Sequence, residues 1–226
     1  MAIAELDRST AVETLVAGER MTRDEFIRRW ESMPKLKRAE LIGGTVCMPS
    51  PMSQKHGSKN LMMGTWVGVY SAKVPACEGG MDSTWYMLDD SPQPDVFLRM
   101  KDHSGGKSWL SGKYLQGAPE LVIEVCLSSE GYDLNAKKAL YAAAGVVEFA
   151  AVLALNRDVK WMYLENGVYR DLKPDADGIL RSRTFPGLWL DPVAVVSDDL
   201  NRVLEVLARG MKSPEFLEFA ARNQPA

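Results

Sequence analysis

Two carboxylates sit where apolar strand-type sequence should exclude them. Glu124 stands inside LVIEVC (121–126), and Asp95 heads DVFLRM (95–100). Strand side chains alternate, so Leu121, Ile123 and Val125 share one face while Val122, Glu124 and Cys126 share the other. Glu124 therefore projects into a packed layer. A bare carboxylate there costs on the order of several kcal/mol, so it must take up a proton, pair with a cation or bind a metal. Two carboxylates with no convergent His or Cys set are hard oxygen donors, which suit Mg2+ or Mn2+ rather than zinc. A cation is at hand in DLNAKKALYAAA. On a helix, Lys137 shares the inward face of Leu140, Tyr141 and Ala144, and a lysine there reaches either water or a buried anion. Taken singly, Glu124 and Asp95 read as a salt-bridge partner and a turn former; together with Lys137 they read as a site.

The elements that must position these residues follow from local pattern. TRDEFIRRWESM opens with Thr22 and Glu25 at capping-box spacing and sets Phe26, Ile27, Trp30 and Met33 on one helical face. RAELI and TVCM flank Gly43-Gly44, the signature of a tight hairpin, and Pro49 and Pro51 end its second strand. Ser53 caps a second helix, QKHGSKNLMMGTWVGVYSAK, with His56 in its first turn and Leu61, Thr65, Trp66 and Val69 expected inward. After a Gly-rich joint, DSTWYML and DVFLRM read as strands, and DHSGGKSWLSGKYLQG as a polar loop. Asp133 opens the Lys137 helix, which Gly145 can end, and VEFAAVLAL returns as a buried strand. WMYLENGVYRDL is a hairpin turning at Asn166-Gly167, and DDLNRVLEVLARGM is an amphipathic helix.

These elements predict an α/β (α+β mixed) fold, one mixed central sheet flanked by helices. The passage from Leu121 to Leu155 should be a right-handed parallel crossover that brings Asp95, Glu124 and the Lys137 helix together. Glu120 shares the strand face of Glu124 but lies about 13 Å along it, outside the first ring of ligands.

Composition narrows the function. A chain of 226 residues, 46% hydrophobic and 25% charged, has an ordinary globular make-up and ample core. The formal net charge of −3 argues against a polycation that coats nucleic acid. Local basic surfaces remain, around Arg28, Arg29, Lys35, Lys37 and Arg38, and in the loop with Lys101, Lys107 and Lys113. Cys47, Cys77 and Cys126 are odd in number and widely spaced, which suits buried thiols in a reducing compartment. The N-terminus lacks a signal-peptide pattern, and the longest apolar stretch is broken by Gly145 and Glu148, short of the roughly 20 residues a membrane span needs. A cytoplasmic protein with no membrane partner is expected. GGKS at 105–108 lacks the glycine and helix of a phosphate-binding loop, and neither GxSxG nor HExxH occurs.

The order AELIGGTVCMPSPMSQKH, QPDVFLRM, GAPELVIEVCLSS and DLNAKKALYAAAGVVEF resembles the Uma-two family of restriction-endonuclease-like proteins, a branch of the PD-(D/E)xK nuclease superfamily. The resemblance runs from the Thr22 helix to about Asp191. It implies a restriction-endonuclease-like core over residues 21–195, preceded by an N-terminal extension (1–20) and followed by a C-terminal helical extension (196–226). It implies a divalent metal, Mg2+ or Mn2+, held by Asp95, Glu124 and the backbone carbonyl of Val125. Glu40 and His56 match family positions that complete the pocket. The superfamily lysine normally sits two residues after the glutamate, where this chain has Cys126, and Lys137 takes its place. The family's aromatic strand position is Ala150 here, and Asn156 stands near its acidic end.

The implied activity is metal-dependent hydrolysis of phosphodiester bonds in DNA, with room for a homodimer. The alternatives are a nuclease-fold module that binds nucleic acid or protein without turnover, and a metal-dependent hydrolase of another phosphate ester. On residue type alone, Glu40 equally fits a cross-hairpin partner of Arg38 or Lys37, and His56 a surface or capping residue.

Overall fold

The computed structural model describes residues 13–48, 52–126 and 132–224. Pro49 and Pro51, expected to end the first hairpin, lie outside the described residues. In chain order the elements are α1 (Arg23–Glu31), β1 (Glu40–Ile42), β2 (Thr45–Cys47), α2 (Gln54–Ser71), β3 (Cys77–Met81), β4 (Trp85–Tyr86) and β5 (Val96–Met100). There follow β6 (Ser108–Ser111), β7 (Tyr114–Gly117), β8 (Leu121–Cys126), α3 (Tyr132–Ala144), β9 (Glu148–Leu153), β10 (Asp158–Glu165) and β11 (Val168–Asp171). The chain closes with β12 (Leu180–Arg181), β13 (Trp189–Leu190), α4 (Pro192–Val196), α5 (Leu200–Gly210) and α6 (Pro214–Arg222).

The main sheet has six strands in the order β11-β10-β9-β8-β5-β3. Only β8 and β9, joined through α3, run parallel, so the sheet is mixed as the sequence pattern predicts. The alternation in β8 sorts two cores. Ile123 and Val125 face Trp66, Val67 and Tyr70 of α2, with Val203, Leu207 and Phe216 of α5 and α6 in the same cluster. Val122 and Cys126 face Leu140 and Tyr141 of α3. Phe26 of α1 packs with Leu41 and Val46 of the β1–β2 hairpin in a third cluster.

Local chemistry sets the element ends. Thr22 Oγ1 accepts the Glu25 N–H, but the Glu25 carboxylate takes Arg28 and Arg29 instead of closing the capping box. Gly43 and Gly44 sit at φ 59° and 69°, the pair of left-handed residues a two-residue hairpin requires. Ala150 lies directly opposite Trp161 on β10, whose ring meets Trp66 edge-on with centroids 5.6 Å apart. The neighbouring strand therefore supplies aromatic bulk beside this small residue.

Four local expectations are corrected. The Gly-rich joint is edge strand β3, where any Cβ at Gly79 or Gly80 would run into Val67 or the Phe97 ring. The polar loop contains the β6–β7 hairpin, and the DSTWYML strand shortens to β4, which pairs parallel to β7. On α2 the buried face is Met62, Met63, Trp66, Val67 and Tyr70, whereas Leu61 is exposed. The pattern is weak because three glycines and several small polar residues interrupt the helix's apolar stripe.

Candidate active site

β5 and β8 are antiparallel with Val96 opposite Ile123, so one step further the register sets Asp95 against Glu124. Both are buried, with 3% and 5% of their surface exposed. The chain bends at Asp95, and its carboxylate turns across the end of the sheet. Oδ2 accepts the Val125 N–H at 2.8 Å. Oδ1 faces Arg38 Nη2 at 2.8 Å and His56 Nε2 at 3.3 Å, with Asn60 Nδ2 at 3.5 Å. Burial works against the Asp95 charge, but hydrogen bonds from His56, Arg38 and Val125 outweigh it and hold the carboxyl well below the usual range.

Glu124 turns to α3. Lys137 Nζ lies 3.1 Å from both carboxylate oxygens, and the Tyr141 hydroxyl donates to Oε1 at 2.6 Å. Lys137 also reaches Glu40 Oε1 at 2.9 Å, and Glu40 in turn accepts the Gln93 N–H at 2.7 Å. Glu40 thus ties the β1–β2 hairpin to the chain entering β5. Burial pushes Glu124 up to about 8; Lys137 pulls it down, while the charges of Asp95 and Glu40 raise it. Burial disfavours the Lys137 ammonium, but Glu124 and Glu40 reverse that and hold it above the ordinary lysine range. The Tyr141 phenol is likewise raised, by burial and then by Glu124 and Glu40, so it stays a donor.

The sequence-identified residues therefore fall into two linked groups. Asp95, His56 and the Val125 backbone form one, reached from α2; Glu124, Lys137 and Glu40 form the other, reached from α3, and the charge of Asp95 is felt at both Glu124 and Lys137. Val125 meets Asp95 through its N–H, while its side chain packs in the α2 core. Among the described residues no group of three or more His, Cys, Asp or Glu side chains is gathered at metal-binding spacing. The donor chemistry still fits a hard divalent cation. The groups at the sheet end are oxygen donors, and Glu40 and Glu124 share the one ammonium of Lys137, so a cation could take over part of its role.

Sequence reasoning missed two participants. Asn60 is buried beside Asp95 and 3.1 Å from His56 Nε2, and its Oδ1 has no hydrogen-bond partner among the described residues. Its position one helical turn after His56 was the available signal. Arg38 read as part of a basic surface, yet it bridges Asp95 and Asp82, the latter at 3.0 Å. Glu120 stands outside the site as expected, accepting the Met100 N–H at 2.7 Å.

Comparison with known proteins agrees with this architecture. No curated protein matches the chain. The fold is similar to a crystal structure described as "a putative nuclease belonging to DUF820" from Anabaena variabilis ATCC 29413, with a TM-score of 0.58 at 15% identity over 83% of this chain and 99% of that one. Among the described residues, no helix is long and apolar enough to cross a membrane. The family model described as "Uma2: Putative restriction endonuclease" matches residues 23–194, from the first residue of α1 into α4 and across every site residue above, so the chain belongs to the Uma2 family.

Proposed function

We propose that this protein is a divalent-metal-dependent endonuclease that hydrolyses phosphodiester bonds in DNA. The observation that carries the reading is the buried Asp95 carboxylate on the Val125 N–H, next in the chain to Glu124, with Lys137 held between Glu124 and Glu40. Asp95, Glu124 and the Val125 carbonyl would hold Mg2+ or Mn2+, which supplies Lewis acidity to the scissile phosphate when bound. The remaining steps fall to side chains. An ammonium has three N–H donors, and Lys137 directs all three contacts to carboxylates. Turnover therefore requires Lys137 to exchange a Glu124 contact for a reacting oxygen while Glu40 keeps it in place. In that position its charge offsets the charge developing on the phosphate. His56 and Asn60, on the Asp95 side, are set to orient a water or a phosphate oxygen.

The test is cleavage of supercoiled plasmid and of single-stranded DNA in Mg2+ or Mn2+ by the wild type and Asp95→Asn. A loss of about a hundredfold or more is expected in the variant, with circular dichroism confirming its fold. Equal rates would remove Asp95 from the site. One observation favours a nuclease-fold binding module instead: each carboxylate oxygen of Asp95 and Glu124 already has a protein donor. Calorimetric titration with Mn2+ separates the readings, since the endonuclease takes up the ion and the module does not.

A further inference from the structure

A cleft of about 710 Å3 lies beside α2, outside the Asp95–Glu124 cluster. Its walls include Lys55, Ser58 and Lys59 from the first turns of α2, Arg157 from the β9–β10 turn, and Ser197 and Asp198 from the turn between α4 and α5. Three cations thus meet one carboxylate, in a chain whose net charge is −3. Lys59 is buried, donates to the Val195 carbonyl and lies 2.6 Å from Asp198 Oδ1, which fixes the floor and consumes the only acid among these residues. Lys55 and Arg157 are exposed and have no carboxylate partner among the described residues. Asp198 and Arg157 both hold left-handed backbone, at φ 62° and 52°, a conformation that costs a non-glycine residue free energy and tends to persist at functional surfaces.

The cleft adjoins the candidate active site. Helix α2 turns His56 and Asn60 toward Asp95, while Lys55 and Lys59, one residue before each, turn into the cleft. Ala154, on the opposite wall, donates its N–H to the Cys126 carbonyl, two residues beyond Glu124. Both features therefore lie at the carboxyl end of the parallel β8–β9 pair, where ligands of open α/β sheets bind.

We infer that this cleft binds backbone phosphates of the nucleic-acid strand flanking the scissile bond, with Lys55 and Arg157 as the phosphate contacts. The free cations and the Ser58 hydroxyl, which accepts from Gln54 and keeps its proton, can donate to phosphate oxygens, and such contacts fix the register of a strand without reading bases. The inference rests on the endonuclease reading for its substrate, but it is tested by binding alone.

The experiment measures fluorescence anisotropy of labelled duplex and single-stranded oligonucleotides in EDTA, across a salt series, with the full-length protein. The variant is Lys55→Ala with Arg157→Asn, because asparagine tolerates the left-handed conformation at 157. The comparison variant is Lys101→Ala with Lys107→Ala, in the basic loop beyond β5. Losing two counterion-releasing contacts should flatten the duplex log Kd–log salt slope by about 1.8 and weaken binding roughly 60-fold at 0.1 M salt relative to a 1 M reference. The comparison variant should bind as the wild type does. The inference is overturned if the cleft variant keeps the wild-type affinity and slope, if both variants lose affinity equally, or if the wild type binds neither oligonucleotide. Failure of the endonuclease reading is separate: absent cleavage, or cleavage untouched by Asp95→Asn, leaves a cleft-dependent loss of binding intact.

Discussion

Glu124 and Glu148 are both buried, both lie on the parallel strand pair β8–β9, and both have their proton affinity raised first by burial. What surrounds them differs. Glu148 accepts from Trp161 Nε1 at 2.8 Å, from the Ser182 hydroxyl at 3.0 Å, and from the backbone of Arg183 and Thr184 at 2.7 and 2.8 Å. Every donor is neutral, and together they staple the 182–184 segment to the start of β9. Glu124 instead shares one ammonium with Glu40 and feels the charge of Asp95. A carboxylate satisfied by fixed dipoles has nothing to exchange, whereas one held in a shared ionic contact can trade its partner for a cation or a substrate. Burial alone therefore does not mark a functional acid; charged neighbours do.

The largest expected effect breaks the staple. Glu148→Leu leaves the Trp161, Ser182, Arg183 and Thr184 donors without their acceptor, and each unsatisfied buried group costs about 1–3 kcal/mol. Urea unfolding should show a loss of at least about 4 kcal/mol, while oligonucleotide binding per folded molecule stays at the wild-type level. A loss below about 1 kcal/mol would mean that those donors find water or other acceptors, and Glu148 would cease to be a staple.

The sequence announces Glu124 more clearly than Glu148. LVIEVC is a strand by any period, so its one acid is conspicuous, and helical spacing alone turns Lys137 inward toward it. Glu148 opens β9, where a charge reads as a solvated strand end, and its partners lie 13 to 36 residues downstream, beyond any local pattern. The same divide runs through the fold. Gly43-Gly44, the Thr22 cap and the β8–α3–β9 crossover depend on nearby residues and were legible. Strand β3 was not, because CEGGM has little strand propensity and forms only where Val67 and Phe97 demand the absence of a side chain. Arg38 and Asn60 join the site through contacts spanning 57 and 35 residues, which no period encodes.

Proton linkage sharpens the contrast. The folded-state proton affinity of Glu124 is raised from about 4.5 to about 8, so its contribution to stability is fully present below 4.5 and is lost as pH rises through about 8. Asp95 runs the other way: its affinity is lowered, so its contribution is present above its ordinary value of 3.8 and is lost as pH falls through its folded-state value. Glu124→Gln removes only the first dependence. In EDTA, the stability of the wild type minus that of the variant should fall by on the order of 3 kcal/mol between pH 5 and pH 8.5. Contributions from Glu148 are common to both proteins and cancel. A difference that does not change with pH would show that Glu124 is as firmly held as Glu148, and the distinction between them would collapse.

The smallest effect isolates the one neutral side-chain donor on Glu124 among the described residues. Tyr141→Phe removes a hydroxyl 2.6 Å from Oε1 while keeping the ring packed against Phe149, with centroids 5.5 Å apart. That hydrogen bond favours the ionised carboxylate, so its loss should extend the window set by Glu124 to higher pH. The stability cost should be about 1.5 kcal/mol at pH 9, where the ionised form is abundant, and about half that at pH 6. Unfolding curves at the two values decide it. If the cost is the same at both, Tyr141 serves the two protonation states equally, and the shared ammonium of Lys137 alone sets the proton affinity of Glu124.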